Sequence, residues 1–337
     1  MSERERREGS GAVGGPPLAI GGKAGTVALI GRPNAGKSTL MNRLLEEKLA
    51  IVSDKPQTTR HRLVGILSNE RGQMVFHDTP GIHRPLHDMN RGMMQEAVDA
   101  LNGSDVVCVL IDAAEAPGAG EEFLIDLVAG VESPKVVALN KIDTMKKGRL
   151  LPRIESLAGR RVPGSGQGSG GAEAEERPVF AEIVPISALT GDGCDVLLDI
   201  LWRLLPEGPP LYDAELLTIH PERFLAAERI REKILAHTHQ ELPFTTAVLI
   251  EGWEDQPDRD FTKIYATILV ERASQKKILI GKAGQMIKTI GTEARHDLED
   301  MLGRRVYLDL HVRHEPDWRG SRRILAELER DLYTRLG

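Results

Sequence analysis

Long hydrophobic runs are missing from this sequence. The longest apolar run, VVCVLIDAA at 106–114, is far shorter than the roughly 20 residues that a membrane-spanning helix needs. The charged N-terminus, MSERERREGS, has no apolar stretch behind it, which argues against a secretory signal. We therefore expect a cytoplasmic protein with at most peripheral contact to a membrane.

Cysteine is scarce, and positive charge is not in excess. Cys108 and Cys194 are the two cysteines, and neither has the C-x-x-C or another metal-binding spacing. We expect both to be small buried residues in a reducing compartment. The net charge of −6 excludes a chain coated with positive charge for bulk nucleic-acid binding, although it allows a local basic site.

Short apolar runs recur along the first two thirds of the chain and are separated by helix-like stretches. The runs are TVALI, QMVFH, VVCVLID, KVVALN and EIVPIS. Near-continuous apolar strands that alternate with helices are typical of a mostly parallel sheet covered on both faces. At 337 residues the chain has room for a second domain with its own core.

Composition divides the chain. We expect a disordered tail at 1–23 and a flexible insertion at 159–178, because both are too poor in apolar residues to order themselves. Three prolines and a glycine at 204–213 predict a boundary between a first domain at 24–207 and a second at 208–337. After this boundary the pattern becomes helix, two strands, helices and one strand.

The stretch GRPNAGKSTL at 31–40 has the spacing G-x-x-x-x-G-K-S directly after a strand and before a helix. In that context the backbone N–H groups converge on a phosphate chain, the lysine reaches the outer phosphates and the serine hydroxyl binds Mg²⁺. The alternative is a glycine turn that binds nothing. The predicted phosphate-loop residues are Gly31, Arg32, Pro33, Asn34, Ala35, Gly36, Lys37, Ser38 and Thr39.

The base is predicted from NKID, which follows a buried strand. The Asp143 carboxylate can accept hydrogen bonds from the ring N–H and exocyclic amine of guanine, which adenine does not offer in that place. A short NKID match is also compatible with an ordinary loop, but its position at a strand end favours a guanine site. The predicted base contacts are Asn140, Lys141, Ile142 and Asp143, with Ser187 and Ala188 of PISAL closing over the base.

The metal and the γ-phosphate are predicted from FHDTPG at 76–81 and KPQTTRHR at 55–62. Asp78 holds Mg²⁺ through water, and the Gly81 N–H contacts the γ-phosphate; the alternative for DTPG alone is a β-turn. Either Thr58 or Thr59 supplies a second hydroxyl, and we favour Thr59. Thr79, Pro80 and Ile82 complete this set. Ser38, Thr59 and Asp78 are the predicted metal residues, and Lys37, Thr59 and Gly81 the predicted catalytic ones.

These five stretches resemble the Era family of P-loop GTPases over residues 26–205. One residue departs from small signalling GTPases, because Ile82 stands where a glutamine orients the attacking water. Slow intrinsic hydrolysis is therefore expected. In this group an asparagine at the place of Asn34 is associated with K⁺ beside the phosphates; the alternative is that Asn34 only braces the loop.

A second glycine loop lies in QKKILIGKAGQMIKTIGTEARHDLEDML at 275–302. A G-x-x-G loop between two helices is typical of a KH domain, which clamps about four nucleotides of single-stranded RNA. Strand-like KIYATILVER before it and RRVYLDLHVR after it match a type II KH order, as in the second half of the Era family. Aliphatic packing of bases is expected on Ile278, Ile280 and Ile287. The predicted RNA contacts are Lys276, Lys277, Ile280, Gly281, Lys282, Ala283, Gly284 and Lys288.

Charge supports this prediction, since residues 272–288 carry five basic side chains and no acidic one. The alternative is a helix-turn-helix with solvated lysines. The Era resemblance implies a GTP- and Mg²⁺-dependent switch, monomeric, that binds the 3′ end of 16S rRNA and acts in 30S subunit biogenesis. It also implies possible peripheral membrane contact, for which the sequence offers no anchor. An RNA-binding adaptor that uses GTP only as a structural ligand is the competing hypothesis; a membrane-trafficking switch is disfavoured.

Overall fold

The computed structural model describes residues 22–55, 58–82, 88–163, 176–238 and 242–330. Nearly all of the predicted tail at 1–23 lies outside these ranges, as does the middle of the predicted insertion at 159–178. Gln57, His83 and residues 331–337 also lie outside the described residues.

The first domain is built on a six-stranded sheet with a small ribbon beside it. Its strands are β1 (Lys23–Gly31), β2 (Leu63–Asn69), β3 (Gly72–Asp78), β4 (Val106–Asp112), β5 (Lys135–Asn140), β6 (Arg161–Pro163), β7 (Glu176–Pro178) and β8 (Glu182–Pro185). The sheet order is β2-β3-β1-β4-β5-β8, and every neighbouring pair is parallel except β2 with β3. The carboxyl ends of the parallel strands therefore meet at one edge, where ligands of such sheets bind.

Helices cover both faces of this sheet. They are α1 (Lys37–Leu45), α2 (Asp88–Gly103), α3 (Ala119–Ala129), α4 (Leu150–Ala158) and α5 (Cys194–Leu204). Leu40 of α1 and Trp202 of α5 are buried in the core of one face, whereas Leu101 of α2 and Leu124 of α3 are buried in the core of the other. The predicted mostly parallel sheet with helices on both faces is confirmed.

The sequence interpretation missed β2 and drew the insertion too wide. The stretch LVGILSN contains a glycine and ends in polar residues, so its apolar pattern is weaker than that of the central strands. β6 and β7 pair antiparallel, with Arg161 opposite Pro178, so the ends of 159–178 are ordered strands. Cys108 and Cys194 are both free and buried, as predicted.

The second domain is a three-stranded sheet with helices. In chain order its elements are α6 (Glu222–His237), α7 (Leu242–Thr245), β9 (Thr246–Gln256), β10 (Phe261–Val270), α8 (Ala273–Ile280), α9 (Gln285–Leu302), β11 (Arg305–His314) and α10 (Arg322–Arg330). β10 lies between β9, which is antiparallel to it, and β11, which is parallel to it. The 3₁₀ turns of the chain span Ile142–Thr144, Lys147–Arg149, Pro257–Arg259, Lys282–Gly284 and Trp318–Gly320.

The core of this domain lies between the sheet and three helices. Ile230 of α6, Leu279 of α8 and Ala294 of α9 are buried against Ile268 of β10. On the opposite side of the sheet, Trp318 of a 3₁₀ turn and Ile324 of α10 pack in a smaller cluster. The expected second domain is thus present, and the C-terminal helix α10 packs on its sheet.

The segment that joins the two domains packs against the first one. The Ile66 N–H donates to the Leu217 carbonyl at 2.8 Å, and the Thr218 hydroxyl donates to the Val64 carbonyl at 2.6 Å. These bonds use one donor and one acceptor on the outer edge of β2, groups that an edge strand otherwise leaves unpaired. The predicted boundary at 208 therefore falls inside a segment that belongs structurally to the sheet of the first domain.

Candidate nucleotide and nucleic-acid sites

A cleft of about 490 Å³ opens at the carboxyl edge of the parallel strands. Residues of all five predicted stretches lie around it. Those that line the cleft are Pro33, Asn34, Gly36, Lys37, Ser38, Thr39, Ile51, Val52, Ser53, Asp54, Thr58, Thr59, Gly81, Asn140, Lys141, Asp143, Thr144, Ala188 and Leu189. The structure therefore brings together side chains that are up to about 150 positions apart in the sequence, as expected at such a sheet edge.

Lys37 lies in a shell of backbone carbonyls at the base of the phosphate loop. Its Nζ donates to the carbonyls of Gly31 and Arg32 at 3.2 and 3.1 Å, and the residue is 6% exposed. Burial lowers the pKa of Lys37 to about 8, although the neighbouring Asp78 charge opposes this. A triphosphate would supply the negative charge that this buried ammonium lacks.

Asn140 braces the phosphate loop against the loop that is predicted to close over the base. Its Nδ2 donates to the Ala35 carbonyl at 2.8 Å, and its Oδ1 accepts from the Ala188 N–H at 2.9 Å. Gly36 has φ +97°, and a Cβ there would overlap the Asn140 amide. Only glycine fits this position, for its backbone angle and for its space.

Ser38, Thr59 and Asp78 form a compact oxygen cluster beside Lys37. The Ser38 hydroxyl donates to Asp78 Oδ2 at 2.6 Å, and the Thr59 hydroxyl lies 3.1 Å from Ser38 Oγ and 3.3 Å from Asp78 Oδ2. In the part of the chain that the structure describes, Asp78 Oδ1 is buried and has no hydrogen-bond partner, and burial raises the pKa of this carboxyl. Two hydroxyls and a carboxylate are the oxygen ligands that Mg²⁺ prefers, so the residues present fit this ion.

The two threonines of KPQTTRHR at 55–62, called the switch segment below, have different environments. Thr58 Oγ1 donates to the Lys55 carbonyl at 2.7 Å and takes no part in the oxygen cluster. Asn34, at φ +62°, donates from Nδ2 to the Asp54 carbonyl at 2.7 Å and so ties the phosphate loop to the residue that precedes this segment. That contact fits the bracing role considered for Asn34, and among the described residues none donates a hydrogen bond to the amide oxygen of Asn34.

Gly81 lies against the phosphate loop. A Cβ at Gly81 would come within 2.6 Å of the Pro33 nitrogen, and the Ile82 N–H donates to the Gly31 carbonyl at 3.0 Å. The Thr79 hydroxyl is used internally, since it donates to the Leu29 carbonyl at 2.8 Å. Ile82 is 1% exposed and packs in the sheet core. Pro80 is also buried, and none of the side chains of Thr79, Pro80 and Ile82 lines the cleft.

At the base end of the cleft, Asp143 is exposed toward the opening. Lys141, at φ +68°, forms an ion pair with Asp112 at 2.8 Å, which fixes the start of the turn that carries Asp143. Ser187 is fully buried and accepts from the Thr190 N–H, while Ala188 and Leu189 line the cleft. The Ile142 side chain packs against the core of the sheet. Arg32 lies outside the cleft, paired with Glu115 at 2.6 Å.

Several contributors to the site were not singled out from the sequence. Asp54 holds Asn34, Asp112 holds Lys141, and Arg43 donates to the Leu189 carbonyl at 2.6 Å. Asp112 ends a buried strand at the ligand edge of the sheet, which is a signal that sequence analysis can use. The other two act through backbone carbonyls, for which no residue pattern exists.

The second glycine loop is open where the phosphate loop is enclosed. Gly281 has φ +73°, and a Cβ there would lie 2.7 Å from Met286 Cβ. Gly284 has φ +76°, and a Cβ there would meet no atom within 4 Å. The loop connects α8 to the N-terminus of α9, so the positive end of an 18-residue helix faces it. Ala283, at φ +51°, lies in the same left-handed region.

Basic side chains surround this loop. Lys277, Lys282 and Lys288 are exposed, and Lys276 is half-buried. Ile278 is 53% exposed, while Ile280 is half-buried and Ile287 packs against the domain core. The loop therefore presents glycine backbone, lysine charge and one aliphatic side chain to solvent, which is the chemistry that a phosphodiester chain requires.

Comparison with known proteins agrees with both halves. Residues 26–141 match the family described as 50S ribosome-binding GTPase, and residues 247–319 match the KH domain family. The GTPase Era of Geobacter metallireducens is 44% identical over 306 residues, which cover 91% of this chain and 97% of the relative. The GTPase Era of Leuconostoc citreum is 43% identical over 91% of this chain and 96% of that protein.

Two solved structures resemble the whole chain. An Aquifex aeolicus Era variant bound to GDP and AlF₄⁻ superposes with a TM-score of 0.83 and 37% identity, covering 92% of this chain and all of that one. An Era complex with MgGDPNP and nucleotides 1506–1542 of 16S ribosomal RNA gives a TM-score of 0.84 and 36% identity over the same shares. Fold, domain order and sequence agree throughout, and the chain belongs to the Era family of GTPases.

Proposed function

We propose that this protein binds and hydrolyses GTP, grips the 3′ end of 16S rRNA through its KH domain and acts as a switch in 30S subunit biogenesis. The observation that carries the proposal is the presence in one chain of the Ser38–Thr59–Asp78 oxygen cluster beside Lys37 and of the open, lysine-flanked loop at 281–284. The relatives solved with MgGDPNP, with GDP and AlF₄⁻, and with an rRNA fragment support it.

The proposal assigns roles to several residues of the cleft. Lys37 and the backbone N–H groups of 31–38 bind the phosphates, and Ser38, Thr59 and Asp78 would hold Mg²⁺. Mg²⁺ held there would supply positive charge to the phosphate oxygens while the bond from the γ-phosphorus to the leaving oxygen breaks. Gly81 offers its N–H to the γ-phosphate, and Asp143 accepts from guanine. A water oxygen bonds to the γ-phosphorus, giving GDP and phosphate.

Ile82 affects the expected rate of GTP hydrolysis in the absence of an activator. Its side chain is buried in the core and has no polar atom, so it cannot orient water. The intrinsic rate is therefore expected to be low. The buried apolar side chain of Ile82 is the observation that favours the adaptor alternative. Multiple-turnover phosphate release that RNA increases would support the switch; release that stops after one turnover, with or without RNA, would support the adaptor.

A potassium ion beside the phosphates is a further part of the proposal. Asn34 Nδ2 is used by the Asp54 carbonyl, which leaves Oδ1 for a cation next to the phosphate loop. Such an ion would place positive charge where an arginine finger acts in other GTPases. Hydrolysis faster in K⁺ than in Na⁺ buffer is expected, and equal rates in the two would remove the ion from the mechanism.

The test of the switch is RNA affinity in two nucleotide states. A short RNA that copies the 3′ end of 16S rRNA is titrated against the protein with a non-hydrolysable GTP analogue and then with GDP, and a scrambled RNA of equal length is the control. Tighter binding in the GTP state, for the native RNA alone, supports a coupled switch. Equal binding in both states supports the adaptor.

Location and assembly remain proposals as well. In the part of the chain that the structure describes, no helix is both long and apolar enough to cross a membrane. A cytoplasmic monomer that contacts the 30S subunit is the proposed working form. Sedimentation with purified 30S subunits and with vesicles distinguishes ribosome binding from peripheral membrane contact.

A further inference from the structure

The KH domain holds the switch segment on both sides of Thr59. The Arg231 guanidinium, on α6, donates to the Thr58 carbonyl. The Arg60 guanidinium donates to the carbonyl of Thr246, the first residue of β9, at 2.7 Å. Between these two ties, the Thr59 hydroxyl reaches Ser38 and Asp78. The residue predicted to bind Mg²⁺ is therefore the centre of a bridge between the domains.

Arg231 is rigidly placed for this contact. It is 2% exposed, and Nε and Nη2 donate to the two carboxylate oxygens of Glu228 at 2.7 and 2.6 Å. Burial alone would raise the pKa of Glu228, but the positive charge of Arg231 holds that pKa below its usual range. A charged, bidentate partner leaves the guanidinium little freedom to turn away from Thr58.

The burial of Arg231 is hard to explain as ordinary packing. Its Nη1 is buried and has no hydrogen-bond partner among the residues that the structure describes. A buried donor left unpaired destabilises a protein, and an apolar side chain of similar volume would avoid that cost. The contact with the Thr58 carbonyl is what an apolar residue cannot make, so the arginine is better explained by its effect on the switch segment.

The same helix also contacts residues that precede this segment. The Val52 N–H donates to Glu232 Oε1 at 2.9 Å, and Lys48 pairs with Glu232 and with Asp297, each at 2.8 Å. Arg229, which is 4% exposed, donates to the Lys48 carbonyl. α6 therefore contacts the first domain at two separate places, and only the contact next to Thr59 lies in the switch segment.

We infer that Arg231 is a positioning residue for GTP hydrolysis: the KH domain uses it to hold Thr59 on the metal site, and so acts as an activator of the first domain within the same chain. The inference rests on the proposed function. GDP lacks the γ-phosphate and makes less use of Thr59, so the effect belongs to the GTP state. By linkage, any gain in GTP affinity that the contact between the domains provides is matched by an equal gain in the stability of that contact when GTP binds.

The test compares two arginines of α6 in the full-length chain. Arg231→Met keeps an aliphatic stem of similar reach but removes the donor to Thr58. We expect kcat to fall about ten- to a hundredfold, since small displacements of a catalytic group have effects of that size. The Mg²⁺ concentration for half-maximal rate should rise, while GDP affinity stays within about twofold. Arg229→Met, which removes a tie to Lys48, is the matched control with kcat within about twofold of wild type.

A second variant distinguishes loss of the contact with Thr58 from loss of folding. Arg231→Met leaves Glu228 buried without its partner, so the double variant Arg231→Met with Glu228→Met removes both charges. It should show the same fall in kcat, and Arg231→Lys should recover part of it. Wild-type kcat and Mg²⁺ dependence in the folded double variant would overturn the positioning role alone. A wild-type chain that released no phosphate would instead overturn the proposed function.

Discussion

The two glycine loops of this protein are enclosed to different degrees. In the phosphate loop, Gly36 is required by its neighbours as well as by its backbone, since a Cβ there would overlap Asn140. In the KH loop, Gly284 has a similar positive φ, yet open space surrounds it. Lys37 is buried, whereas Lys282 is exposed.

The ligands proposed for the two loops account for this difference. A nucleotide is small, and the first loop is enclosed by groups whose positions are set before it arrives, which favours high selectivity. An RNA chain is long, and the second loop leaves its backbone accessible so that phosphates can approach from outside. Changes in the first loop should therefore act through geometry, and changes in the second through access and charge.

The largest effect is expected for Asp143→Asn. The amide can no longer accept both guanine donors, so GTP affinity should fall by about 10³- to 10⁴-fold. Because an amide can pair with a ring that carries a second carbonyl, affinity for xanthosine nucleotides should rise. Competition binding of GTP, XTP and ATP to the same variant measures both. Retained GTP preference would contradict the guanine assignment.

Next is Gly36→Ala, compared with Gly284→Ala. Both add one methyl at a positive φ, but in the first it displaces Asn140 from Ala35 and Ala188. We expect GDP affinity to fall about a hundredfold for Gly36→Ala, or about 3 kcal/mol. RNA affinity should fall only about fivefold for Gly284→Ala, since left-handed backbone costs about 1–2 kcal/mol without glycine.

The outcome of this pair decides whether enclosure matters. Calorimetric titration of GDP and fluorescence titration of RNA are run on both variants, with thermal unfolding as the check on folding. Equal losses at the two glycines would show that backbone strain alone governs both loops and that the enclosure of Gly36 has no effect.

Gly284→Asp tests access at the open loop. The residue has room for a side chain, so the protein should fold, but a negative charge then stands where phosphates approach. RNA affinity should fall about tenfold or more beyond that of Gly284→Ala, with GDP affinity unchanged. Unchanged RNA affinity would mean that the loop at 281–284 is not the clamp.

The smallest effect is the pH dependence of nucleotide binding. The pKa of Lys37 is lowered to about 8 by burial, and bound phosphates favour the charged ammonium, so binding takes up a proton above that pH. Affinity for GDP should therefore fall as pH rises, by about threefold between pH 7.5 and 8.5. Lys37→Arg should abolish the slope, since guanidinium stays charged; a wild-type slope of zero would contradict the lowered pKa.

Much of this architecture is predictable from local pattern. β1, β4 and β5 are apolar runs that end at chemically distinctive residues, and each was located from the sequence to within a few positions. β2 was missed because its apolar residues thin out toward Asn69, and its pairing with β3 is what stabilises it. The sequence assigns the segment 208–220 to the second domain because its prolines mark a break in the chain. Prolines do not indicate which strand the chain packs against after the break.

The features that depend on short spacing follow from the sequence alone. They are the G-x-x-x-x-G-K-S and G-x-x-G loops, the NKID turn and the buried strands. Only the tertiary structure placed Thr59 rather than Thr58 on Asp78, and only it brought Arg231 to a carbonyl 173 residues away. A glycine loop follows from the conformations that neighbouring residues allow. A contact between α6 and the switch segment follows from how two separate cores pack, and no local pattern encodes it.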